Sequence, residues 1–301
     1  MQSTQKRILV FDLETGGLNH KVNPITEMAG VVVSVETLEI IEEFSVVFQP
    51  RLDLSWMQEN SRKEAKEIFA ALSEKDEETN IKTIKYKGIS VTPKSIDVII
   101  SDIELFQDFM NQRTNSNKIS GHIISYAEYL DLQKTGLKDI SKLYFDCCYN
   151  PQALEVTHMS IDLLIKEGVT YEEAFDKIKD LIERNTVGNS KPILSGHNIR
   201  SFDIPFMKKV FEENNSNFES LLNNFLIDTL EWARLRWFEL PNFSLSTCAN
   251  ALGLTLKEAH RALPDTIANA NVLIAMLKSM RGEGQGTEEK EYKRKKFNLN
   301  F

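Results

Sequence analysis

Three short stretches, far apart along the chain, each carry acidic side chains of a kind that can share one metal site. They are Phe11-Asp12-Leu13-Glu14-Thr15-Gly16-Gly17, His197-Asn198-Ile199-Arg200-Ser201-Phe202-Asp203 and His260-Arg261-Ala262-Leu263-Pro264-Asp265. A fold that joins them gathers four carboxylates and one histidine at one place. Carboxylates at that density repel one another. Two divalent cations, Mg2+ or Mn2+, offset the repulsion, and two-metal sites are common machinery for in-line phosphodiester cleavage. The chain therefore reads as a metal-dependent nuclease.

Each stretch has a local reading. Arg7 to Asp12, RILVFD, is an apolar run rich in strand formers. Alternate residues of a strand point to one face, so Asp12 and Glu14 can reach the same metals. Thr15-Gly16-Gly17 follows as a turn whose backbone can approach a ligand closely. Taken singly, this is also how an acidic hairpin turn looks. The second stretch follows the short strand Pro192–Gly196. Ser201 is expected to cap a helix from Phe202, which places Asp203 near its N-terminus, where an acid can equally serve the helix dipole. In the third, Asp265 falls in the first turn of a strong helix and His260 on the loop before it. His260 offers the side chain best suited to accept a proton near neutral pH.

Together and in order, these residues resemble the Exo I, II and III motifs of the DEDDh (DnaQ-like) 3′–5′ exonucleases, the family of the proofreading epsilon subunit of bacterial replicative polymerase. His260-Arg261-Ala262 with Asp265 is a specific form of the third motif. Asn23 to Ala29 and Ile227 to Arg234 are similar to two further family segments. The resemblance implies an α/β, ribonuclease H-like fold with a mixed five-stranded sheet flanked by helices. It implies that Asp12, Glu14, Asp203 and Asp265 bind the metals and, with His260 as general base, form the catalytic set. Thr15, Gly16, Gly17, Leu18 and Asn198 would then hold the 3′-terminal nucleotide. Asn198 and Asp203 are five apart, where many relatives have four, so the place of Asn198 stays open. The implied activity is release of nucleoside 5′-monophosphates from DNA 3′ ends, in proofreading or repair. The same chemistry on RNA and a nuclease-fold binding subunit without turnover are the alternatives.

The resemblance covers residues 1–50 and 147–281 as one discontinuous exonuclease domain. Residues 51–146 read as an inserted, mainly helical subdomain: Met57 to Lys82 as exposed helix, and Lys94 to Met110 as an amphipathic helix able to dock on the body. It serves either as a packing embellishment or as a substrate guide. Ser120 to Glu128 loosely mimics the second stretch but lacks its Asn and Phe-Asp pair. Residues 282–301 read as a flexible tail. From Thr287 it holds five Lys or Arg against three Glu, and it ends Lys296-Phe297-Asn298-Leu299-Asn300-Phe301, similar to sliding-clamp-binding peptides. A clamp or polymerase is the partner that this ending suggests; a disordered polar tail is the plainer reading.

No apolar run approaches a membrane span and no signal peptide is evident, so no membrane partner is expected. Three cysteines, Cys147, Cys148 and Cys248, suit neither a disulfide framework nor a zinc site and point to a reducing, cytoplasmic setting. The formal net charge of −8 disfavours a broad electrostatic grip on nucleic acid. It leaves room for an enzyme that holds a few terminal nucleotides, with Arg200, Lys208, Lys209, Arg234, Arg236 and Arg261 as candidate phosphate contacts near the motifs.

Overall fold

The computed structural model describes residues 6–54, 84–86, 89–91, 105–106, 108–113, 122–221, 225–237, 239–254 and 261–283. In chain order the elements are β1 (Arg7–Thr15), β2 (Ile25–Ser34), β3 (Ile40–Val47), β4 (Arg51–Asp53), β5 (Ile84–Tyr86), β6 (Ile89–Val91) and β7 (Ile123–Ser125). Five helices follow: α1 (Tyr126–Leu132), α2 (Lys138–Cys148), α3 (Pro151–Val156), α4 (Ile161–Glu167) and α5 (Tyr171–Arg184). Then come β8 (Ile193–Gly196), α6 (Asp203–Glu213), β9 (Leu226–Asp228), α7 (Thr229–Arg236), α8 (Leu245–Ala251) and α9 (Ala262–Arg281).

The main sheet has five strands in the order β3-β2-β1-β8-β9. β1, β2 and β3 pair antiparallel, whereas β8 and β9 join parallel to β1. This is the expected mixed sheet. Both faces of β1 are covered, which is why RILVF is apolar without alternation. Leu9, Phe11 and Leu13 pack on one face with α5 and α6. Ile8 and Val10 pack on the other with Ala270 and Leu273 of α9. α5 buries Ala174, Phe175, Ile178, Leu181 and Ile182 at helical spacing and starts in a capping box between Thr170 and Glu173. α9 ends where Gly282 turns left-handed at φ 74°, with the Glu283 N–H donating to the Lys278 carbonyl. The expected tail thus begins with a helix cap; its clamp-like ending lies outside the described residues.

The described part of 51–146 contains strand pairs β4–β7 and β5–β6 as well as α1, α2 and helical residues 108–113. The expected helix over Met57 to Lys82 lies outside the described residues, as does most of Lys94 to Met110. Phe106 and Met110 join a second apolar core with Leu52, Ile124, Tyr144 and Phe145. That core continues into Cys148, Tyr149 and Leu164, so the segment is packed onto the body at its C-terminal end. Among the described residues no helix is long and apolar enough to cross a membrane. All three cysteines are free and buried.

Candidate metal centre

The alternation that sends Leu9, Phe11 and Leu13 into one core sends Asp12 and Glu14 to the opposite face, beneath the start of α9. α9 carries Asp265 in its first turn. One carboxylate oxygen from each of Asp12, Glu14 and Asp265 lies within 4.8 Å of the others. Asp203 opens α6 and is 1% exposed, and its Oδ1 accepts the Leu13 N–H at 3.1 Å. It is thereby tied to the backbone between Asp12 and Glu14. The helix begins one residue later than expected, with Phe202 at the cap and no side-chain capping bond, so Ser201 does not cap it. His260 lies outside the described residues.

Electrostatics mark the cluster. Burial, then the charges of Asp265 and Glu27, push the Asp12 carboxyl up to about 7. Burial, then Asp12 and Asp265, push Glu14 up to about 8. Burial and the Asp12 charge hold Asp203 well above the carboxylate range. Hard oxygen donors that repel each other when ionised are the donor set that divalent Mg2+ or Mn2+ prefers, and the residues fit such ions.

Two further carboxylates hold the centre in place, and sequence reasoning assigned neither a role. Glu27 of β2 stands directly opposite Glu14 in the sheet register. It receives Arg261 Nε and Nη2, both at 3.0 Å, and the Ala262 N–H at 3.3 Å. It therefore caps α9 from a distant strand, supplying the bond that the residue at the cap, Arg261, does not make. Arg261 is thus engaged with Glu27. Asp228, at the end of β9, accepts the N–H groups of Asn198 (3.0 Å), Arg200 (3.4 Å) and Leu230 (3.0 Å). It fixes the loop that leads to Asp203. Asn198 is exposed and left-handed in that loop, at φ 66°, a conformation asparagine tolerates.

The turn after β1 is strapped from behind. Asn23 Nδ2 donates to the carbonyls of Cys147 and Cys148, both at 2.9 Å, while its Oδ1 accepts the Asn19 N–H. The Asn150 N–H donates to the Gly16 carbonyl at 2.7 Å. Any side chain on Gly16 would collide with the Cys148 carbonyl oxygen. Leu18 follows at 87% exposure, an apolar side chain left open to solvent three residues after β1 ends.

The Exonuclease (RNase_T) family profile matches residues 145–273, which hold Asp203 and Asp265. The chain is 33% identical over 131 residues to DNA polymerase III PolC-type of Bacillus cereus, covering 44% of this chain and 8% of that protein. It is 35% identical over 103 residues to the 3′-5′ exonuclease DinG of Staphylococcus aureus, covering 34% of this chain and 10% of that protein. The chain spans about a tenth of the length of these curated relatives. Among solved structures, E. coli Exonuclease I in complex with a dT13 oligonucleotide aligns with a TM-score of 0.51 at 14% identity, covering 93% of this chain and 43% of that one. This likeness concerns the ribonuclease H-like fold.

Proposed function

Taking this chain as DnaQ-like in motifs and fold, we propose that it is a metal-dependent 3′–5′ exonuclease that removes nucleoside 5′-monophosphates from DNA ends. The observation that carries this reading is the convergence of Asp12, Glu14 and Asp265 within 4.8 Å, with Asp203 bonded to the strand between them. DNA is favoured over RNA because the relatives carry the names of a DNA polymerase and of DinG, and because the Exonuclease I structure holds a dT13 strand.

Asp12, Glu14, Asp203 and Asp265 hold two divalent ions in this reading. When bound, such ions would supply charge neutralisation at the scissile phosphate and would acidify the attacking water. His260 accepts the proton of that water as general base. Gly16 and Gly17 bring backbone close to the terminal sugar, Thr15 braces the turn through its hydroxyl to the Gly17 carbonyl (2.6 Å), and Leu18 packs against the terminal base. Asn198 lines the opposite side. Glu27 and Asp228 position the helices that bear the acids.

The test is a gel time course with Mg2+ on 5′-labelled single-stranded DNA and RNA of matched sequence, with Asp12→Ala beside the parent. A ladder shrinking from the 3′ end, faster on DNA and lost in Asp12→Ala, is expected. A faster RNA ladder would change the substrate, and no ladder with Mg2+ or Mn2+ would leave a binding subunit. His260→Ala is expected to slow turnover by about 10²- to 10⁴-fold while calorimetric Mn2+ binding persists; normal turnover would remove the general-base role.

A further inference from the structure

A cleft of about 750 Å³ lies between α6, the β1–β2 loop and the edge of the inserted segment, and its lining reaches Ile204, the residue after Asp203. α6 begins at Asp203 and runs away from the acids. Ile204, Lys208 and Glu212 follow at four-residue steps on its cleft side, so Lys208 stands roughly 7 Å along the axis from Asp203. The β1–β2 loop contributes His20 and Lys21, just beyond Leu18. The far wall is His122 and Ile123, and Ile123 belongs to β7, paired to β4.

This wall is fixed to the body. Arg51 of β4 bonds Glu213 at 2.6 Å, and Lys209 bonds Asp53 of β4 at 2.5 Å. The Arg51 guanidinium lies over the Tyr171 ring, and the Arg51 backbone N–H donates to the Tyr149 hydroxyl at 2.8 Å. The cleft is therefore preformed, and the acidic charges of Asp53 and Glu213 are matched by these partners. Three other cations face it. Lys21 makes no ion pair among the described residues. Arg200 and Lys208 hold Glu231 (3.5 Å) and Glu219 (2.7 Å) in exposed pairs, which are weak and exchange readily for another anion. Glu212 also lines the cleft, which therefore holds four cations (Lys21, Arg200, Lys208 and Lys209) against three acids (Asp53, Glu212 and Glu213), in a chain of net charge −8.

We propose that the cleft is the track for the sugar-phosphate backbone immediately 5′ of the scissile bond. Lys21, Arg200 and Lys208 are its phosphate contacts, and the inserted segment is its outer wall. The assignment rests on the exonuclease reading for its direction, and on the cleft's own geometry for its ligand, a single nucleic-acid strand.

The test is fluorescence anisotropy with labelled dT12 and dT2 across a KCl series, with Mg2+, in an Asp12→Asn background. Adding Lys21→Ala and Lys208→Ala together is expected to weaken dT12 binding about tenfold and to reduce the salt slope by about 1.4, two phosphates' worth for a single strand. The loss on dT2, whose single internucleotide phosphate is the scissile one and which therefore offers none to the track, is expected to stay within about twofold. Lys134→Ala, in an exposed pair with Asp131 away from the cleft, is expected to change neither quantity. An unchanged dT12 slope in the double variant would overturn the proposal. So would an equal loss on dT2, which would place these lysines at the terminal nucleotide. Failure of the parent background to bind dT12 would also overturn it. Binding with the expected slope but no nucleotide release by the native chain would sink the exonuclease reading and leave the track standing.

Discussion

Asp12→Asn should stabilise this protein when metal is removed, although it abolishes the proposed chemistry. Asp12 is held up at about 7 against an ordinary value of 3.8, by burial first and then by the Asp265 and Glu27 charges. An acid whose pKa is raised on folding keeps its proton in the folded state. Stability is then full below 3.8, falls as pH rises, and reaches its lowest level above about 7. The difference corresponds to at most about 4 kcal/mol at ~1.4 kcal/mol per pH unit. Local relaxation and water entry bring it to roughly 2 kcal/mol. Asparagine carries no charge to desolvate, so at pH 8 in EDTA the variant should melt about 4–8 °C above the parent. At pH 5 the gain should shrink by more than half, because the folded parent is then protonated. Added Mg2+ should raise the parent's midpoint by linkage and the variant's much less. Calorimetric melts at the two pH values, with and without Mg2+, check all of this. A variant less stable than its parent at pH 8 in EDTA, or equally advantaged at both pH values, would refute a crowded, desolvated carboxylate cluster.

Three further outcomes follow from the contacts around the centre. Gly16→Ala forces a methyl group against the Cys148 carbonyl and should cost about 1–3 kcal/mol in urea unfolding, with a raised KM from the displaced turn; a neutral result would mean the strap through Asn150 is slack. Asp228→Ala strips the acceptor from the Asn198 and Leu230 N–H groups and should cost about 2–4 kcal/mol, with Asp228→Asn recovering part of it in the same melts. Arg261→Ala leaves Glu27 buried without its cation and should cost about 2–3 kcal/mol; pairing it with Glu27→Gln should restore most of that, and a double variant as weak as the single would remove Glu27 as the source of the loss.

The sequence by itself was sufficient for the parts of the site that depend on local rules. Strand alternation puts Asp12 and Glu14 on one face, and the pattern before the last helix puts Asp265 in a first turn; β1 and α9 show both. The family resemblance implied a mixed five-stranded sheet flanked by helices, and the strand order agrees. Capping was less legible. Ser201 looked like the cap of α6, yet the helix starts after Phe202 and Asp203 is held instead by the Leu13 N–H, 190 residues back.

Only the tertiary structure decided which residues hold the acids in place. Glu27 carried no assignment from sequence, and its role exists only because the β1–β2 register sets it opposite Glu14 and within reach of Arg261, 234 residues later. Asp228 caps α7 through the Leu230 N–H, and its grip on Asn198 needs β9 to lie beside β8. The basic residues near the motifs looked alike in sequence, whereas folding turned Arg261 onto Glu27 and set Arg200 and Lys208 along a cleft walled by the inserted segment. Periodicity and capping act over a few residues and leave a trace in composition. A bond between two strand ends is set by sheet register and helix packing, which no short stretch of the chain encodes.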